Sequence, residues 1–300
     1  MLALALAFFA AHPSVGTSVP LSNGSPALLV AVGLLLLVGY ALKVLAWRRL
    51  FAVEERPHAL ALVTANAGAS ILGLVLPGRL ADLLRVAIVR RSPCCPAGVR
   101  SLCLSLVMLG LIDSVALAPF AFTAAALPGH TGMRAGLALI AGSGIAAAAL
   151  IVVLPRLTAR KLVRYRVGRW LSPRTVSTRN ASVIAALLSV CWLSRAAAVM
   201  VLLSALGVGF SFPLAVLFLC AGKAAGALPG GQAGAGGAVL IASGVGGARA
   251  IDVAVSGQAL ATLCGIAMLL FAALWLIGAR LVASRSFEPL RLADATSRVR

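Results

Sequence analysis

The sequence predicts an all-α integral membrane protein with about five full transmembrane helices plus two broken or re-entrant helical hairpins, arranged as an inverted repeat. Three observations predict it. Hydrophobic side chains make up 61% of the 300 residues, the mean hydropathy is +1.06 and only 11% of residues are charged, far from the composition of a soluble domain. The basic residues, which give a net charge of +19, are gathered in blocks between apolar runs. Two of the apolar regions are interrupted by Leu-Pro-Gly, at 76–78 and again 152 residues later at 228–230.

A helix needs about 20 mostly apolar residues to cross the hydrocarbon of a bilayer. In chain order, residues 1–26 form an N-terminal remnant and outer loop: "MLALALAFF" is too short to span and carries no basic residue of the kind that starts a secretory signal. The first repeat, 27–154, holds a crossing at 27–46, the broken region 59–90, and crossings at 101–127 and 133–154. A basic cytoplasmic loop, 155–180, follows, in which Val163, Val167, Trp170 and Leu171 share one face of a surface helix. The second repeat, 181–280, holds a crossing at 181–206, the broken region 212–248 and a crossing at 253–279. Residues 281–300 form a basic cytoplasmic tail.

Sidedness follows from the basic blocks at 43–56, 79–100, 155–180 and 280–300, which the positive-inside rule assigns to the cytoplasm. If 59–90 crossed completely, the arginines of 79–100 would lie outside. A hairpin that turns at Pro77 and Gly78 and returns resolves the conflict. The same rule asks for a second hairpin from the opposite side, turning at Pro229, Gly230 and Gly231. Two inverted repeats whose discontinuous helices meet at depth are the plan of many secondary transporters. Irregular backbone there must be buried in protein or line a cavity, because an unpaired amide facing lipid is costly. The competing reading is that Pro and Gly only kink ordinary crossing helices.

Several charges fall at membrane depth. Asp113 and Arg195 lie near the middle of their crossings, where an isolated charge costs about 2.5–3.5 kcal/mol on insertion scales. They either pair with one another or belong to an anion site. Lys223 precedes the second break. Arg79, Asp82 and Arg85 follow the first on one side of a helix, with Asp82 three residues from each arginine; Arg85 can also snorkel to the interface. The basic members outnumber the two aspartates, which suits a phosphate-bearing substrate.

Other functions find little support. There is no Ser/His/Asp set, HExxH or GxxxxGK[ST], so no catalytic residues, no cofactor and no metal site are expected, and the protein is read as not an enzyme. Cys94 and Cys95 are adjacent, the other four cysteines are scattered in apolar runs and the three histidines do not cluster. Nucleic acid is not an expected partner, since no binding fold accompanies the charge.

"LVLPGRLADLLRVAIVRR", the later "LGLIDSVAL" and "LPGGQAGAGGAVLIASGV" resemble the lysylphosphatidylglycerol synthase transmembrane-region family, also described as flippase-like domain proteins, over about residues 27–280. By position Pro77, Gly78, Arg79, Asp82 and Arg85 match its first motif, and Asp113 its next acidic position. The sequence departs at Gly236, where an acidic residue is common, at Gly110 and Leu111, which replace an acidic–basic pair, and in its shortened first helix. The resemblance implies a multi-pass protein of the bacterial inner membrane that moves a phospholipid or lipid-linked anionic head group between leaflets, without the soluble synthase domain. Its expected partners are phosphate-bearing membrane lipids. The alternative function is a non-catalytic membrane scaffold for an enzyme of envelope lipid or glycolipid synthesis, engaged through the basic loops.

Overall fold

The computed structural model describes residues 25–72, 78–92, 95–126, 131–160, 178–225 and 231–297. Among them the regular structure is entirely helical: α1 Pro26–Arg49, α2 Ala59–Leu72, α3 Gly78–Arg91, α4 Val99–Ala126, α5 Thr131–Arg160, α6 Thr178–Ala205, α7 Phe212–Ala225, α8 Gly231–Ala242 and α9 Gly247–Ser297. Five of them, α1, α4, α5, α6 and α9, contain apolar spans long enough to cross a membrane. This is an all-α multi-pass membrane protein. Large apolar side chains such as Leu139, Ile145, Leu270 and Phe271 stay exposed on these helices, a surface for lipid to cover. The surface helix expected around Val163 to Leu171 and the N-terminal remnant lie outside the described residues. α5 runs on to Arg160 and α9 on to Ser297, so part of the expected basic loop and most of the expected tail are helical extensions of crossings.

The two broken regions are hairpins. α2 and α3 have 14 residues each, α7 has 14 and α8 has 12. At 1.5 Å per residue they reach about 18–21 Å, short of the roughly 30 Å of hydrocarbon. A Cβ placed on Gly68 would lie 3.2 Å from the Ile88 side chain, and one on Gly236 would lie 2.4 Å from the Phe218 ring. These pairs straddle the breaks at distances only a fold-back permits, so the kinked-helix reading fails.

α1 and α6 cross at the centre and run antiparallel. The Ser194 hydroxyl donates to the Leu35 carbonyl at 2.7 Å and the Cys191 thiol to the Gly39 carbonyl at 3.2 Å, so rising numbers on one helix meet falling numbers on the other. Their C-terminal ends therefore lie on opposite faces, and each leads by a short link into a hairpin. Ser101 at the start of α4 donates to Glu55 at 2.5 Å, which brings hairpin α2–α3 back to the face it left; Arg249 at the start of α9 donates to the Gly207 carbonyl at 3.4 Å and does the same for α7–α8. Gly207 and Gly244, at φ of 71° and 88°, close α6 and α8 on that second face. In each case the next N–H reaches back to the first carbonyl of the last turn, from Val208 to Leu203 and from Val245 to Leu240.

The two hairpins thus enter from opposite faces, and the halves are inverted repeats. Helix starts recur at nearly the interval of the Leu-Pro-Gly breaks: 26 and 178, 59 and 212, 78 and 231. Packing obeys the same exchange. α1 meets α6, α2 lies on α9 as α7 lies on α4, and α3 meets α4 as α8 meets α9. α5 stands outside this symmetry, packed chiefly on α4. The two helices touch closely at Gly144, where a Cβ would stand 2.6 Å from the Ser114 carbonyl oxygen and 2.5 Å from the Ala118 Cβ. Gly144→Ala should therefore separate α4 from α5 and cost about 1–3 kcal/mol in thermal unfolding of the purified protein. Gly142→Ala, which meets nothing within 4 Å, should be neutral.

Candidate functional site

Between the hairpins lies a cavity of about 460 Å³. One end is formed by Val32 and Leu202, both in an apolar cluster with Leu203 and Val253. Beyond the opposite end a second cluster packs Trp47, Leu102, Ile184 and Leu188, and the Trp47 indole N–H donates to Ser105 at 2.9 Å. The polar residues stand between these clusters. Asp82, on α3, is half exposed at the lip, flanked by the exposed Leu80 and Leu83.

At the centre the repeat brings equivalent residues face to face. Gly39 and Cys191, joined by the hydrogen bond above, are 152 residues apart, so the local two-fold passes between them. The same interval relates Tyr40 to Trp192 and Lys43 to Arg195, within "GYALK" and "CWLSR". All four line the cavity. The Arg195 guanidinium carbon lies 5.9 Å from the centre of the Tyr40 ring and 5.5 Å from that of Trp192, within cation–π range. The arginine stem packs directly on Gly39: a Cβ there would sit 3.4 Å from it, at ordinary contact distance. The Tyr40 hydroxyl shares a hydrogen bond of 2.8 Å with Ser70 of the first hairpin.

Asp113 pairs with Lys223 of the second hairpin, Oδ2 to Nζ at 2.9 Å, and accepts a hydrogen bond from Trp192 Nε1–H on Oδ1 at 2.8 Å. The Lys223 ammonium also lies 5.2 Å over the Trp192 ring. Of the two readings of these charges, the Asp113–Arg195 pair is not formed, because Arg195 is turned against the two rings and Lys223 reaches Asp113 from the hairpin. Trp192 therefore couples α4, α6 and α7.

Asp82, Arg85, Asp113, Arg195 and Lys223, all expected from the sequence, line this one cavity. Arg85 pairs with Asp82 as the three-residue spacing indicates, and its side chain is 20% exposed; it faces the cavity rather than snorkelling to an interface. Gly78 opens α3 and Gly231 opens α8. Pro77, Pro229 and Gly230, together with the side chain of Arg79, lie outside the described residues. Sequence reasoning missed Lys43, counted with the cytoplasmic block 43–56, and also Tyr40, Trp192 and Asn66. The signal that would have found the first three is the recurrence of an aromatic residue followed three positions later by a base, at the interval of the breaks.

Among known proteins, no family model, no curated protein and no solved structure matches the chain.

Proposed function

We propose that this protein is a flippase-like transporter that moves a phospholipid or another lipid-linked anionic head group between the leaflets of a bacterial inner membrane. The observation that carries the reading is the cavity between two opposed hairpins, with basic side chains at its centre and apolar walls around them. A head group with a phosphate is accommodated by Lys43, Arg85, Arg195 and Lys223, and its chains by apolar surface. The exposed Leu80 and Leu83 beside Asp82 suit a lateral approach from lipid, which a water-soluble anion would not need. The motif resemblance to the flippase-like transmembrane region supports the same function, with the N-terminus outside and the C-terminal tail cytoplasmic.

The test is transbilayer movement in liposomes containing the purified protein, read as accessibility of a fluorescent chain-labelled phospholipid to an external quencher. The native chain should accelerate movement over protein-free vesicles. Arg195→Ala should lower the initial rate at least tenfold, while Arg134→Ala, at an exposed helix end, should leave it near the native value. No acceleration for any phospho- or polyprenyl-linked lipid would sink the reading.

A further inference from the structure

The cavity offers different chemistry on its two sides. On the second-hairpin side Asp113 occupies Lys223 and Trp192. On the first-hairpin side the free groups are donors. Asn66 is 3% exposed, lines the cavity, and its Nδ2 has no hydrogen-bond partner among the described residues; the Nε of Arg85 is likewise buried without one. Lys43 lines the same cavity and forms no ion pair among the described residues. Asp113, Arg195 and Arg85 all lie within its electrostatic reach. At the positions 152 residues on from Asn66 and Arg85 stand Phe218 and Gly237, so the second hairpin has no counterpart of these two donors.

The charges on the cavity wall are Lys43, Arg85, Arg195 and Lys223 against Asp82 and Asp113, a surplus of two positive charges. A zwitterionic head group would neutralise neither and a phosphodiester only one. A terminal phosphate carries close to two negative charges near neutral pH and presents three strong acceptor oxygens, matching both the surplus and the donors of Lys43, Asn66 and Arg85. We propose that the first-hairpin side of the cavity is a binding site for a dianionic terminal phosphate, with Lys43, Asn66, Arg85 and Arg195 as its ligands. That the phosphate is borne by a lipid rests on the transport reading above; the charge match itself does not.

The experiment is calorimetric titration of the full-length protein in detergent with short-chain phosphatidate, phosphatidylglycerol of the same chains, and inorganic phosphate, near neutral pH. Phosphatidate should bind at least tenfold more tightly than phosphatidylglycerol. Lys43→Gln and Asn66→Leu should each abolish most of that ratio, and Lys43→Arg should retain it. Equal affinities for the two lipids, or an unchanged ratio in Lys43→Gln, would overturn the site; if Lys43→Gln does not fold, Asn66→Leu decides by the same criterion. Inorganic phosphate binding as tightly as phosphatidate would support the dianion site and overturn its assignment to a lipid. Because calorimetry reads binding and not movement, the dianion preference in a protein that moves no lipid would leave this site standing while the transport reading fell. Lipid movement without the preference would do the reverse.

Discussion

Asp113→Ala should lower the unfolding free energy by about 3 kcal/mol, the lower end of the range for removing one member of a buried ion pair. The lower end applies because Lys223 keeps 30% of its side-chain surface exposed to the cavity. Two contacts are lost together: the carboxylate–ammonium pair at 2.9 Å, which ties α4 to the second hairpin, and the acceptor for Trp192 Nε1–H at 2.8 Å. Lys223→Ala should cost less, since Asp113 would keep its tryptophan donor. The two losses should not add. Once Asp113 is gone, Lys223 is an unpaired ammonium, so removing it as well should recover stability. A coupling of at least about 1 kcal/mol is expected for groups in direct contact, measured by unfolding of the two single variants and the double variant in the same detergent. Additive losses would mean that the pair makes no stabilising contact.

The same pair marks where sequence reading reaches its limit. Spans were legible because hydrophobicity accumulates over some 20 residues and needs no knowledge of neighbours; all five expected crossings recur within a few residues of the observed ones. The hairpins were legible from charge, since a complete crossing would have stranded the arginines of 79–100. What the sequence does not carry is the azimuth of one helix against another. Asp113 and Arg195 share a depth, which invited pairing them, but the rotation of α6 turns Arg195 onto Tyr40 and Trp192. Lys43 was obscured differently. It stands five residues before Arg48 and Arg49, so a count of basic blocks absorbed it into the cytoplasmic loop, whereas the helix continues to Arg49 and holds it on the cavity wall.

The departures from the resembled motifs have physical readings too. Gly236 stands where an acidic residue is common, and the Phe218 ring fills the space its side chain would need. Ile71 is the repeat counterpart of Lys223, and Gly265 that of Asp113; these two meet in close contact, the Ile71 side chain 3.2 Å from a Cβ placed on Gly265. The ion pair of one half is thus an apolar contact in the other. A shared backbone has kept its central aromatic–basic pairs and given the remaining polar groups to different sides.

Cysteines placed at Ser92 and Ser243, on a background without the native cysteines, should label from opposite sides of the membrane in an all-or-none pattern. The two positions close the returning arms of the two hairpins. Because α1 and α6 are antiparallel, each hairpin returns to the face where its own preceding helix ended. Arg48, Arg49, Arg56, Arg90, Arg91 and Arg100 lie on or near the face of Ser92, against Arg134 and Arg249 on the other. The positive-inside rule therefore makes Ser92→Cys reactive only from the cytoplasm and Ser243→Cys only from outside. An ordinary crossing by either hairpin would need its two short helices joined end to end. That would carry Ile88 far from Gly68, or Phe218 far from Gly236, and both contacts are tight. Labelling of both cysteines from one side would contradict the opposed hairpins and, with them, the cavity between the hairpins on which the transport and phosphate proposals depend. Opposite labelling leaves a cavity that neither hairpin can form alone, so cross-linking the two hairpins to each other should arrest lipid movement while leaving both labels on their own sides.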